Sequence, residues 1–91
     1  MRLVWLPRAG EACQAAINYI AADNPVAALI QLDKIERQAE PLSRHPNIGR
    51  AGRVWGMREL VISRTPFILV YRIQGDTVQI LHLLHSAQQW P

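Results

Sequence analysis

The sequence predicts an α+β domain: a two-helix hairpin packed on a small, twisted antiparallel sheet, in the order β-α-α-β-β-β. Three observations predict it. The last third, Gly56 to Leu84, holds three short runs rich in β-branched and aromatic residues, separated by turn signals. The first half carries two apolar stripes at helical spacing, broken by Asp23-Asn24-Pro25. A short apolar run, RLVWL, opens the chain and needs a sheet edge to satisfy its backbone. Helices gathered on one face of an antiparallel sheet define the layout.

Taken in order, Arg2 to Leu6 reads as a first strand ended by Pro7. Arg8 to Ala22 reads as a helix, with Ala9, Ala12, Cys13, Ala16, Ile17 and Ile20 along one side. Small residues there permit close approach of a second helix. Asn24 is a good N-cap, and Pro25 suits the first helical position, where a missing N–H costs nothing. The second helix runs from Pro25 to about Ala39, with Leu29, Leu32, Ile35 and Ala39 as its apolar stripe. Pro41 to Trp55 is a connecting loop rich in Pro, Gly and Arg. Met57 to Ser63, Phe67 to Ile73 and Thr77 to Leu84 form an antiparallel meander. Arg64-Thr65-Pro66 makes one bend and Gln74-Gly75-Asp76 the other, a tight hairpin in which Gly-Asp accepts the positive backbone angles required. On the middle strand Phe67, Leu69, Tyr71 and Ile73 share one face, and Ile68, Val70 and Arg72 the other. The expected core joins Leu29, Leu32, Ile35, Leu69, Tyr71 and Ile80. In the tail, His85 to Pro91, Ser86 allows a capped final helical turn; an irregular segment is the alternative.

The totals bound the function. Ninety-one residues make one domain, residues 1–91, and a chain this short buries only about 60–65% of its unfolded surface. The formal charge is +3, and nine of the ten basic residues are Arg, which favours planar contact with carboxylate or phosphate. An acidic protein, a nucleic acid or a nucleic-acid enzyme is the expected kind of partner. Cys13 is the one cysteine, which excludes a disulfide within the chain and reads as a small core residue. Met1-Arg2 and the few apolar residues after it do not read as a signal peptide, and no run is long enough to span a bilayer. No membrane partner is expected, and the cytoplasm is the expected location.

No Walker loop, GxSxG or HExxH motif is present. His82 and His85 lie three apart on a strand, so they face opposite ways and cannot share a metal; no metal or other cofactor is expected. His82, aligned with Val78 and Ile80, reads as a hydrogen-bonded structural residue. His85 ends the strand beside a polar tail and is the better functional candidate. Arg50, Arg53, Arg58, Arg64 and Arg72 bias the strands and their approach toward an acidic partner. Arg58, at the start of a core strand, is expected to be held by a carboxylate, Glu59 or Glu11. Trp5 reads as core. Trp55 in the basic loop and Trp90 in the tail either anchor a partner or cover the sheet end.

An ordered set of segments resembles one known family. VWLPRA, NYIAADNPVAA, LSRHPNIGRAGRVWGMREL, FILVYRI and ILHLLHSAQQWP together are similar to the ParE/RelE superfamily of toxins from type II toxin–antitoxin systems, and look more like its ParE branch. The resemblance implies a helix hairpin on a twisted antiparallel sheet, a cognate acidic antitoxin of ParD type or related, and a setting in plasmid stabilization. It implies one of two activities. RelE-like members cut messenger RNA on the ribosome, with several basic residues and a terminal Tyr or His at the site. ParE-like members inhibit DNA gyrase. Here Lys34 lies on a helix, Ile68 stands where the RelE-like branch often has Arg, and the tail has no tyrosine. Arg58, Tyr71 and His85 remain as a thin catalytic set, whereas phosphate cleavage needs charge stabilisation and a proton-transfer pair. The resemblance therefore favours a gyrase inhibitor without chemistry of its own, with Arg50, Arg53, His85, Gln88 and Trp90 as candidates for binding the target. A stand-alone nucleic-acid-binding module fits the charge but lacks a recognition helix or aromatic platform, so no sequence-specific DNA binding is expected without the antitoxin.

Overall fold

The computed structural model describes residues 1–86 and 88–90. Its elements are β1 (Arg2–Trp5), α1 (Pro7–Asp23), α2 (Pro25–Ala39), a 3-10 turn (Glu40–Ser43), β2 (Arg50–Ala51), β3 (Arg58–Val61), β4 (Phe67–Gln74) and β5 (Thr77–His85). The five strands form one sheet in the order β1-β5-β4-β3-β2.

Asn24 organises the helix hairpin. Its backbone N–H donates to the Ile20 carbonyl and closes α1, while its side-chain oxygen accepts from the Ala27 N–H at 3.1 Å and caps α2. Pro25 follows at the first helical position. α1 buries Ala9, Cys13 and Ile17, and α2 buries Ala28, Ile35 and Ala39. Leu29 was expected in the core, but it is 67% exposed, as are Val26 and Ile30 in large part. The small residues explain this. Ala28, Leu32, Ile35 and Ala39 follow the i, i+4, i+7, i+11 spacing of a helix face, and Ala28 lets that face approach closely. Leu29, about 100° round the helix, is turned out. Leu32 is half-buried and packs against the core.

The sheet is mixed rather than wholly antiparallel. β1 takes the expected edge but lies parallel to β5, from Arg2 opposite Thr77 to Trp5 opposite Ile80. Local turn chemistry specifies each antiparallel hairpin; it carries no information on a pairing between the chain's two ends. The Gly75-Asp76 hairpin forms with Gln74 opposite Thr77 and Gly75 at φ 60°. Arg64, at φ 62°, absorbs the other bend. The loop before the meander adds a strand unmarked by periodicity, β2, antiparallel to β3.

A bulge divides β5. Val70 lies opposite His82 and Tyr71 opposite Ile80, so Leu81 is the extra residue. Val78, Ile80 and Leu83 join Phe67, Leu69 and Tyr71 in the core beneath the helices. Leu81 and Leu84 join Ile68, Val70, Met57 and Trp90 in a second, smaller cluster. The bulge breaks the expected alignment of His82 with Val78 and Ile80. His82 instead meets Trp90, with ring centroids 5.2 Å apart, and its Nδ1 has no hydrogen-bond partner among the described residues. Ile73, at the far end of β4, is partly exposed, unlike Phe67, Leu69 and Tyr71. No described helix is long and apolar enough to cross a membrane.

Candidate functional site

Two segments carry most of the candidates: the loop from Pro46 to Met57 and the tail beyond β5. Two clamps hold the loop. The first is a tyrosine. The Tyr71 hydroxyl donates to the Pro46 carbonyl at 2.6 Å and accepts from the Gly49 N–H at 2.9 Å. Gly49 is required here, because a Cβ would lie 2.5 Å from the Tyr71 oxygen. Arg58 Nη1 donates to the Gly49 and Asn47 carbonyls at 2.9 and 3.4 Å. Arg58 thus holds loop backbone, not the carboxylate of Glu59 or Glu11. Burial pushes the Tyr71 phenol up from its ordinary value, against the Gly49 N–H and the Arg58 charge, which pull it down.

The second clamp is Glu59, 2% exposed and opposite Arg50 in register. Its carboxylate accepts from Arg50 Nη2 at 3.2 Å and from the Arg53 backbone N–H at 3.0 Å, and Arg53 Nε lies 3.4 Å away. Burial alone would raise this carboxyl, but the Arg53 N–H, the Arg50 hydrogen bond and the two positive charges outweigh it and hold it below the usual range. The Gly52 N–H donates to the Met57 carbonyl at 2.8 Å and closes the loop. At its apex Trp55 stands 96% exposed.

Arg53 also ties the loop to the tail, since its Nη1 donates to the Gln88 carbonyl at 3.4 Å. Gln88 closes a turn with His85: the Gln88 N–H donates to the His85 carbonyl at 2.8 Å, and the His85 N–H donates to Gln88 Oε1 at 3.3 Å. The described tail residues form this turn rather than a capped helix; Ala87 and Pro91 lie outside the described residues. The His85 ring packs edge-on against Phe67 at 6.2 Å and lines a cleft of about 370 Å³ with Ala12, Ala16 and Tyr19 of α1. Trp90 is half-buried in the second cluster, with the Arg8 guanidinium 5.7 Å from its ring centre. It packs over the sheet while part of its surface stays exposed. Burial, and then the Arg8 charge, push the His82 imidazole below its ordinary value.

Arg50, Arg53, His85 and Gln88 therefore form a connected strip. Arg58 and Tyr71 are adjacent on paired strands, but His85 lies opposite Phe67, four residues along β4 from Tyr71. That separation is about 13 Å at the rise of a strand. The Tyr71 phenol is fully buried and both its hydrogen-bonding roles are taken within the loop. Among the described residues no three His, Cys, Asp or Glu side chains gather as a metal site. Sequence reasoning missed the role of Glu59. The signal was present: an acidic residue falls between Met57 and Val61 on one face of an apolar strand, just after an Arg-rich loop.

The fold and this strip define a class: a small basic protein with a helix hairpin on a mixed sheet and a clamped arginine loop joined to its tail. A model of the family described as ParE toxin of type II toxin-antitoxin system, parDE, matches residues 3–90, and the chain belongs to that family. It is 39% identical over 90 residues to Y4kP, a candidate toxin of Sinorhizobium fredii (strain NBRC 101917 / NGR234), covering 99% of this chain and 93% of that one. It is 32% identical over 85 residues to toxin RelE3 of Caulobacter vibrioides, covering 91% of each. Among solved structures, a chain of the chromosomal ParDE TA system from P. aeruginosa superposes with a TM-score of 0.85 at 30% identity, over 93% of this chain and 95% of that one.

Proposed function

We propose that residues 1–91 are one toxin domain that inhibits DNA gyrase by binding it, and that a cognate acidic antitoxin of ParD type neutralises it. The reading places its action in the cytoplasm, where gyrase works, and its biological use in plasmid stabilization. The observation that carries it is the state of Tyr71. A phenol with no exposure, bonded to the Pro46 carbonyl and the Gly49 N–H, is placed to hold a loop rather than to move protons on a substrate. His85 lies too far along the sheet to complete a site with Arg58. Binding is left as the mode of action, and exposed arginines on a fixed loop suit it.

The antitoxin reading rests on the family and on charge. A +3 chain with apolar side chains exposed on α2 suits an acidic partner that orders itself on binding. The 32% identity to a RelE toxin favours one rival, ribosome-dependent cleavage of messenger RNA through Arg58, Tyr71 and His85. Two assays on the purified chain separate them: gyrase supercoiling, watched for linear DNA, and message integrity in a translating extract. The expected result is linear DNA with intact message. Cut message with unaffected gyrase would sink the proposal.

A further inference from the structure

We infer that the loop from Arg50 to Met57 is a preorganised docking element, with Trp55 as its apolar anchor, for an acidic surface of the target protein. The inference rests on the gyrase reading for the target's identity. Its own basis is geometric.

An indole at 96% exposure in a chain this small leaves a large apolar side chain in water. Trp90 shows the alternative, since the same side chain in the tail is folded onto the sheet beneath Arg8. Trp55 is not exposed because its loop is loose. The Tyr71–Gly49 contact, the Arg58–Gly49 bond, the Glu59 carboxylate and the Gly52–Met57 bond fix both limbs of the loop. A side chain presented on a fixed loop loses little freedom when a partner covers it, and Trp and Arg supply most binding hot spots.

The chemistry around Trp55 selects the partner. Arg50 and Arg53 flank it with side chains 57% and 37% exposed, and Arg58 adds a third positive charge; Glu59 offsets one of the three. A cavity of about 340 Å³ beside the indole is lined by Ala51, Val54, Met57 and Arg58. A protein surface that offers carboxylates around an apolar side chain complements this set. A phosphate backbone suits it less well, because the cavity is mostly apolar and offers an indole that a polyanion would leave uncovered. Glu59 acts as a positioning residue: it touches no partner and sets where Arg50 and Arg53 stand.

The test uses the purified chain, residues 1–91. Binding to immobilised gyrase and inhibition of supercoiling are measured for the wild type, Trp55→Ala and Glu59→Gln, with the melting temperature of each. Expected are an unchanged melting temperature and at least a tenfold weaker gyrase affinity for Trp55→Ala, and wild-type affinity that falls with added salt. Glu59→Gln should weaken gyrase binding while retaining antitoxin binding, which a merely misfolded chain would lose. Gyrase affinity retained by Trp55→Ala overturns the inference and leaves the functional reading standing. Parallel loss of antitoxin binding overturns it too, by assigning the loop to the antitoxin. So does Trp55-dependent binding of duplex DNA by the chain alone. Failure of the wild type to bind gyrase overturns the functional reading, and this inference with it.

Discussion

The two faces of the sheet are stabilised in different ways. Beneath the helix hairpin, Ile35, Ala39, Leu42, Leu69, Tyr71 and Ile80 are fully or almost fully buried in one apolar core. On the other face the buried apolar cluster is Ile68, Val70 and Leu84, completed by Met57, Leu81 and Trp90 from a loop, a bulge and the tail. Glu59 and His82 lie on either side of Val70 in register, so a carboxylate and an imidazole interrupt that face. The helix side is held by shape and area, which are non-directional. The loop side relies more on a few directional contacts, chiefly Glu59 with Arg50 and the Arg53 backbone N–H, while His82 Nδ1 has no hydrogen-bond partner among the described residues. The loop from Arg50 to Met57 lies beside this second side, where Glu59 and the arginines set its geometry through polar groups.

The largest effect expected from this contrast is in the helix-side core. Ile35→Ala should lower unfolding free energy by about 2–5 kcal/mol, since it removes a fully buried side chain from a packed site. A fall in melting temperature on the order of 10 °C or more follows for a domain of this size. Thermal unfolding by circular dichroism checks it; a shift of a degree or two would mean that the helices contribute far less than the packing implies.

A smaller effect should mark the loop side, in its response to acid. His82 has a folded pKa below its unfolded value of 6.5, so the unfolded chain takes up the proton first. Stability is full above 6.5 and falls as pH drops toward the folded value. Glu59, also depressed, adds a second loss that begins near its unfolded 4.5 and grows as pH falls through the folded value. The urea midpoint should therefore drop between pH 7.5 and 5.5 for the wild type and change less for His82→Gln. Equal drops in the two chains would remove His82 from the account.

Legibility in the sequence followed the same division. The two helices, the Asn24 cap, the Gly75 hairpin and the core strands are local and periodic, and the sequence predicts them within a few residues. The parallel pairing of β1, the bulge at Leu81 and strand β2 depend on contacts between distant segments, for which no local spacing exists. The placement of the candidate residues was legible only in part. Arg50, Arg53, His85 and Gln88 stand together as a strip, Trp90 packs half-buried on the sheet, and Glu59, expected as a partner of Arg58, pairs with Arg50 and Arg53. A salt bridge depends on which side chains the register brings together, and the register of a two-residue strand in a Gly- and Arg-rich loop is not written in its composition.

The smallest expected effect tests where helix periodicity misleads. Residues 29, 32, 35 and 39 and residues 28, 32, 35 and 39 both make acceptable stripes, and hydrophobicity alone selects the one containing Leu29. The structure takes the other, because a methyl at Ala28 admits close contact that a leucine would block. Leu29→Ser should then change stability by no more than about 0.5 kcal/mol, as for other exposed positions. Ala28→Leu, which inserts three carbons into a 2% exposed site, should cost about 1–3 kcal/mol. Denaturant midpoints of the two variants decide the matter: the polar substitution must be the mild one and the apolar substitution the damaging one. The reverse order would return Leu29 to the core and rotate α2 by roughly 100° from the orientation described.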